Sequence, residues 1–140
     1  MEVKNKVYPS KDQMRGFFGN TNDNEPIYMV NLLKFKDKAE YKDGRKTNLT
    51  GREAYKIYAE FVKNHLQNIG GDLILHTDVT RMAVGEVEEL WDVVAIAKWP
   101  SRQIMGENMM PNDPKYLEAY QHREAGLEGQ LNIETKDIND

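Results

Sequence analysis

"IYMVNLLKF", residues 27–35, carries apolar side chains on both of its faces. Successive side chains of a strand point to opposite sides. Ile27, Met29, Asn31, Leu33 and Phe35 therefore share one face, and Tyr28, Val30, Leu32 and Lys34 share the other. A strand with one solvated face would alternate apolar and polar residues. This one needs cover on both sides, and only Asn31 and Lys34 interrupt its apolar character.

The flanking sequence supplies the rest of the pattern. Upstream, "SKDQ" at 10–13 has capping-box form and starts a short helix, which Gly19 and the polar run "NTNDNEP" at 20–26 bring to an end. Downstream lies a long polar loop, residues 36–49; loops of that length are uncommon in compact domains. Its basic run, "KFKDKAEYKDGRK" at 34–46, is interleaved with Asp37, Glu40 and Asp43 and reads as a solvated segment. "TGRE" at 50–53 is a second capping box. The helix behind it repeats apolar residues at Tyr55, Tyr58, Val62, Leu66 and Ile69, and Gly70-Gly71 closes it.

A second strand is expected over 72–85, a turn at "EVEE", and a third strand over 90–99, again with neither face plainly polar. Ser101 caps a short helix, and Asp113 with Pro114 starts another that should run to about Ala125. "GQLNIET" at 129–135 is the last strand. After the first helix the order is strand, helix, strand, strand, helices, strand. That is the split βαβ pattern of ferredoxin-like α+β folds. The expected fold is thus ferredoxin-like βαββαβ with an extra N-terminal helix and an antiparallel sheet. Helices of such a fold cover one face only, so the other apolar face should be an interface. Two-fold homodimers are the commonest closed assemblies, and two sheets packed face to face are expected.

Composition sets bounds on function. The 140 residues suit one domain spanning the whole chain. A net charge of −4, from 19 basic and 23 acidic residues, argues against a nucleic-acid footprint. The absence of cysteine excludes disulfides, a cysteine nucleophile and thiolate metal sites. No apolar run suits a signal peptide or a membrane span, so a cytoplasmic protein without membrane contact is expected. "NLT" at Asn48 matches a glycosylation sequon and is read as chance.

With these elements in place, a series of short motifs is similar to a known family. They are "VNLLKF" at 30–35, "GREAYKIY" at 51–58, "GGDLIL" at 70–75, "WDVVAIAKWPSR" at 91–102, "DPKY" at 113–116 and "HREAGLE" at 122–128. In this order, over about residues 8–136, the chain resembles an uncharacterised bacterial domain-of-unknown-function family, number thirteen-thirty, of the dimeric α/β-barrel superfamily. "WPSR" departs from the family pattern, which has tyrosine before the proline, and "ENMMPN" adds residues. The resemblance implies a homodimer with a barrel between two sheets, and a small cleft in each protomer between helices and sheet. It implies no reaction, since one fold hosts many functions.

Near the end of the last helix, "AYQHREAGLEG" at 119–129 sets His122 beside Arg123. On a helical wheel Arg123 falls on the apolar stripe of Tyr116, Tyr120 and Leu127, and His122 lies off it near Ala119 and Gly126. Arg123 can run its stem along apolar surface to a carboxylate or a ligand anion, with Asp92 the natural internal partner. Both residues also suit the last turn of a helix that Gly126 would end. His122 is the acid/base candidate, because the unperturbed histidine pKa lies near neutrality. Asn31 can orient a substrate carbonyl or bond to backbone. Tyr58 and Trp91 would line the pocket, and Asp92 would border it; Met105, Met109 and Met110 suit an adaptable wall.

Three histidines, His65, His76 and His122, lack ligand spacing, so neither metal nor cofactor is expected. Two functions stand side by side. One is a cofactor-free enzyme, of isomerase or monooxygenase type, acting on a small aromatic or carbonyl compound with His122 and Arg123 as catalytic groups. The other is a non-catalytic small-molecule-binding or stress-related module. Haem binding is a third, weaker reading.

Overall fold

The computed structural model describes residues 7–19, 24–109 and 113–138. Its elements are α1 (Lys11–Phe18), β1 (Ile27–Phe35), α2 (Gly51–Asn68), β2 (Asp72–Asp78), β3 (Val93–Trp99), α3 (Arg102–Asn108), α4 (Pro114–Gly126) and β4 (Leu127–Thr135). Both capping boxes form: Ser10 with Gln13 at α1, and Thr50 with Glu53 at α2. The four strands make one antiparallel sheet in the order β2-β3-β1-β4. β1 lies between β3 and β4 because β3 and β4 follow β2 and α4 in a split βαβ path.

The strand bounds differ from the sequence reading in one place that matters. The second strand stops at Asp78 and the third starts only at Val93. Val79 N–H still donates to Asp92 O at 2.9 Å, and Asp92 N–H donates to Leu33 O at 2.9 Å. Beyond that pair, residues 80–91 form no ladder, and Val84 is 88% exposed. An apolar run does not make a strand where no neighbouring chain offers hydrogen bonds.

The helices lie over the side of the sheet that carries Ile27, Met29 and Leu33, all buried. One core cluster gathers Leu33, Tyr55, Tyr58, Val93, Ala95, Ala119 and Leu127. Another, toward the opposite sheet end, holds Ile27, Met29, Leu66, Ala97, Trp99 and Met105. The other sheet side is apolar as well. Cross-strand pairing lines up Leu75, Ile96, Val30 and Ile133 in one row across all four strands. The next row is Thr77, Val94, Leu32 and Leu131. Leu75 and Ile133 are 39% and 47% exposed.

The loop over 36–49 is not the solvated segment its charges imply. Ala39 and Tyr41 are buried, and with Ala54 and Ala125 they form a third cluster. Backbone bonds stitch the loop down: Lys36 N–H to Gly126 O, Glu40 N–H to Ala125 O, Ala39 N–H to Leu49 O, and Gly51 N–H to Lys36 O. The first two satisfy carbonyls that the end of α4 would otherwise leave bare. The apolar positions of the loop decide its path, and its charges merely face outward.

Candidate functional site

α4 packs against α2 at two glycines, Gly126 and Gly51. A Cβ on Gly126 would stand 2.3 Å from Gly51 O, so the two helices approach to backbone contact there. Gly126 belongs to the helix and has no left-handed backbone; among the described glycines only Gly44, Gly70 and Gly85 have positive φ. Its role is close approach, not the helix-ending role expected from its position.

That approach turns one face of α4 to the core. Tyr116, Ala119 and Arg123 on this face are buried, with Arg123 only 8% exposed. The Arg123 guanidinium lies over the Tyr120 ring, 5.0 Å from its centroid, and its Nη1 donates to Tyr120 Oη at 3.2 Å. Nη2 donates twice, to Gln130 Oε1 at 2.5 Å and to the Val7 carbonyl at 2.6 Å. Gln130 Nε2 in turn donates to Asn31 Oδ1 at 2.6 Å, and Asn31 Nδ2 donates to Met29 O at 3.1 Å. A continuous polar chain therefore crosses the core side of the sheet, from β1 through β4 to α4.

Tyrosines surround this chain. Tyr55 and Tyr58 rings lie 5.5 Å apart, Tyr58 and Tyr120 6.3 Å, and Tyr116 and Tyr120 5.8 Å. Burial pushes the Tyr55, Tyr58 and Tyr116 phenols up from their ordinary value, and the nearby Arg123 charge offsets part of that. They are neutral hydrogen-bonding groups at any physiological pH. No carboxylate is in hydrogen-bond or ion-pair contact with Arg123 among the described residues.

The structure thus joins Asn31, Tyr58 and Arg123 in one place and separates the other candidates. Asp92 does not meet Arg123. Its Oδ2 accepts from Phe35 N–H at 2.8 Å, where the bulge between Lys34 and Phe35 frees that amide. It lines a different, open cleft of about 530 Å³ with Lys34, Lys36, Thr50, Arg52 and Glu89. Two of the cations of that cleft are paired: Lys34 with Glu89, and Arg52 with Asp78 at 2.6 Å. Trp91 is half-buried ahead of β3 and joins none of the buried clusters.

His122 leaves α4 about 100° around the helix from Arg123. It faces the loop, with Nδ1 2.6 Å from Tyr41 Oη and Nε2 3.5 Å from Glu118 Oε1. Its ring meets Tyr41 edge-on, with centroids 5.4 Å apart. Arg45 extends this outer group by donating to Glu118 at 3.0 Å and to Gln121 at 2.6 Å. Burial pushes the Tyr41 phenol up, so it stays protonated beside the imidazole. Of the methionine wall, Met105 is buried and Met109 Sδ accepts from Tyr116 Oη at 3.6 Å; Met110 lies outside the described residues. Among the described residues no group of His, Asp and Glu side chains is placed to hold a metal ion, and no helix is long and apolar enough to cross a membrane.

Gln130 and Val7 escaped the sequence reading. The signal for Gln130 lies in "GQLNIET": Gln130, Asn132 and Glu134 point to the helix side of the sheet, and Leu131 and Ile133 to the other. An edge strand whose polar face turns toward the helices marks a polar site on its inner side. Nothing in the sequence marks Val7, because it acts through its carbonyl.

The chain is similar along nearly its whole length to two solved structures. A methylated form of RPA0582 is 35% identical, with 98% of each chain covered and a TM-score of 0.81. RPA0582 itself, a protein of unknown function from Rhodopseudomonas palustris, is 32% identical, with 98% of this chain and all of that one covered and a TM-score of 0.80. The chain belongs to the RPA0582 family. No family model and no curated protein matches the sequence.

Proposed function

We propose that this protein is a homodimeric α/β-barrel protein, of the domain-of-unknown-function type that its motifs resemble, and that it binds a small aromatic or carbonyl-bearing compound beside Arg123. One observation carries the reading. Arg123 is 8% exposed, and among the described residues its guanidinium meets only neutral acceptors: a phenol, an amide and a backbone carbonyl. Burying a charge without a counter-charge is costly, and such a group fits a place where negative charge arrives or develops. Asn31 and Gln130 extend the donor line, and Tyr55, Tyr58 and Tyr120 supply an apolar wall.

The enzymatic reading keeps a foothold in the outer group. Tyr41, His122 and Glu118 form a chain in which the imidazole is held at both nitrogens. In an isomerase- or monooxygenase-type reaction His122 would carry the proton, and Arg123 with Asn31 would stabilise the enolate-like charge. His122 faces away from the Arg123 network, so simple binding is the better-supported function.

A thermal-shift screen of small aromatic aldehydes, ketones and acids tests this. Compounds that raise the Tm of the wild type and not of Arg123→Gln support the site. Shifts of equal size in both proteins, or none in either, would overturn it. Turnover of a hit that His122→Ala abolishes at unchanged affinity would move the reading to an enzyme. Native mass spectrometry tests the dimer. Twice the chain mass is expected, falling to one chain mass in Val30→Glu, which sets a charge in the central apolar row. A wild-type monomer at micromolar concentration would refute the paired sheets.

A further inference from the structure

The third acceptor of Arg123 is out of keeping with the other two. Gln130 and Tyr120 belong to packed elements of the core, whereas Val7 belongs to a segment outside any helix or strand. We infer that residues 7–9 are a displaceable cover on the Arg123 site, and that the Val7 carbonyl holds the place of one oxygen of a carboxylate ligand. This rests on the binding site proposed above and names its ligand class and its gate.

The cover is seated by contacts of two kinds. Inside, the Val7 carbonyl meets Arg123 Nη2 at 2.6 Å, and the Val7 side chain packs on the cluster of Leu33, Tyr55 and Tyr58. Outside, Tyr8 is latched at the surface. Lys42 Nζ donates to Tyr8 Oη at 2.5 Å and stands 4.7 Å above its ring, and the same ammonium lies 3.4 Å from Glu124. Tyr8 is 43% exposed and the Lys42 side chain 70%, so water competes for every outer contact. Among the described residues, no backbone–backbone hydrogen bond ties residues 7–9 to the fold. Among the described residues, lifting the segment therefore breaks one inner hydrogen bond, the Val7 packing, the ring contact of Tyr8 with Tyr120 at 6.4 Å and a solvated latch, while no bond of the sheet or helices is lost.

What replaces it follows from the acceptor it vacates. A neutral carbonyl compound would exchange one carbonyl for another and gain little. A carboxylate brings a full opposing charge to the guanidinium and a second oxygen, so that two parallel bonds can form. That oxygen falls to Nη1, whose acceptor is otherwise a phenol at 3.2 Å. The apolar body of the ligand takes the space of the Val7 side chain against the tyrosines. A small aromatic monocarboxylate meets both demands.

The test titrates the whole chain with benzoate and with its neutral isostere benzamide, by calorimetry, in the wild type and in Tyr8→Ala. The substitution is at an exposed position and removes the outer latch together with the ring contact to Tyr120. Benzoate should bind Tyr8→Ala about tenfold more tightly than the wild type, because an occupied cover lowers apparent affinity by the open fraction. Benzamide should bind both poorly. On saturation with benzoate, the carbonyl carbon of Val7, labelled with carbon-13, should shift toward its solvent-exposed value. Equal benzoate affinity in the two proteins, or an unmoved Val7 carbonyl, would remove the cover. Benzamide binding as well as benzoate would remove the carboxylate. In those cases an Arg123-dependent neutral hit from the thermal screen would still leave the binding site standing. No Arg123-dependent compound of any kind would take down both.

Discussion

His122 and Arg123 are neighbours in sequence and belong to different halves of the molecule. On the outer side of α4, His122, Tyr41, Glu118 and Arg45 satisfy one another and fasten a loop. On the inner side, Arg123 is held by neutral acceptors, one of them on a lightly anchored segment. The outer group is closed, with each charge matched. The inner group is open, with no carboxylate on the Arg123 charge among the described residues. The difference teaches that a chemically suggestive pair says little until helical periodicity has divided it. It also locates function by incomplete pairing more than by residue type.

The largest effect expected from breaking this division comes at Gly126. The glycine lets α4 meet α2 closely enough to turn Arg123 inward and His122 outward. In Gly126→Ala the new Cβ would meet Gly51 O at 2.3 Å and Tyr55 N at 2.9 Å, both backbone atoms that no rotamer can relieve. The expected cost is about 3 kcal/mol, at the upper end for overpacking, read as a lower urea midpoint at unchanged m. A cost below about 1 kcal/mol would show that the helices part easily and that the inner and outer sides are not fixed by this contact.

Much of this was legible beforehand, and unevenly. β1, both capping boxes and the stripe of α2 follow from local spacing, which the structure keeps. The placement of Arg123 on the Tyr116–Tyr120 stripe is also a matter of spacing alone. Partners are another matter. Asp92 was the expected carboxylate for Arg123, yet a bulge in β1 draws it to the Phe35 amide. Gln130 and the Val7 carbonyl took that place, and neither a neutral amide on an edge strand nor a backbone oxygen carries a charge signal. The loop over 36–49 misled because its many charges outweigh two buried residues, Ala39 and Tyr41, that fix its path.

A double-mutant cycle sharpens the outer half. Tyr41→Phe removes the hydroxyl 2.6 Å from His122 Nδ1, and His122→Ala removes the ring. Each change should destabilise by about 1 kcal/mol, and the two together by less than their sum, since they break the same bond. Hydrogen exchange should rise in the loop, at Glu40 above all, whose N–H is bonded to Ala125 O. Benzoate binding at Arg123 should not change in either variant. A loss of binding in Tyr41→Phe would mean that the two halves are coupled through α4, and would count toward the enzymatic reading.

The smallest effect is a dependence on acid. The Arg45 guanidinium beside Asp43 holds that carboxyl below its ordinary value, and the same guanidinium lowers Glu118. Glu53 is lowered as well, by the Thr50 N–H of the α2 capping box. A carboxyl depressed in the folded state stabilises fully above its unfolded pKa, and that contribution is lost as pH falls through the folded value. The outer half should therefore weaken on acidification from about pH 5 downward, across the carboxylate range. Arg123 has no carboxylate partner among the described residues, so its contacts should not follow. The comparison to make is the urea midpoint at pH 6 and near pH 3, in wild type and in Arg45→Ala. The wild type should lose more than the variant, because only in the wild type are Asp43 and Glu118 held by Arg45. Equal losses would show that water already screens those exposed pairs to nothing. The closure of the outer group would then rest on Tyr41 and His122 alone.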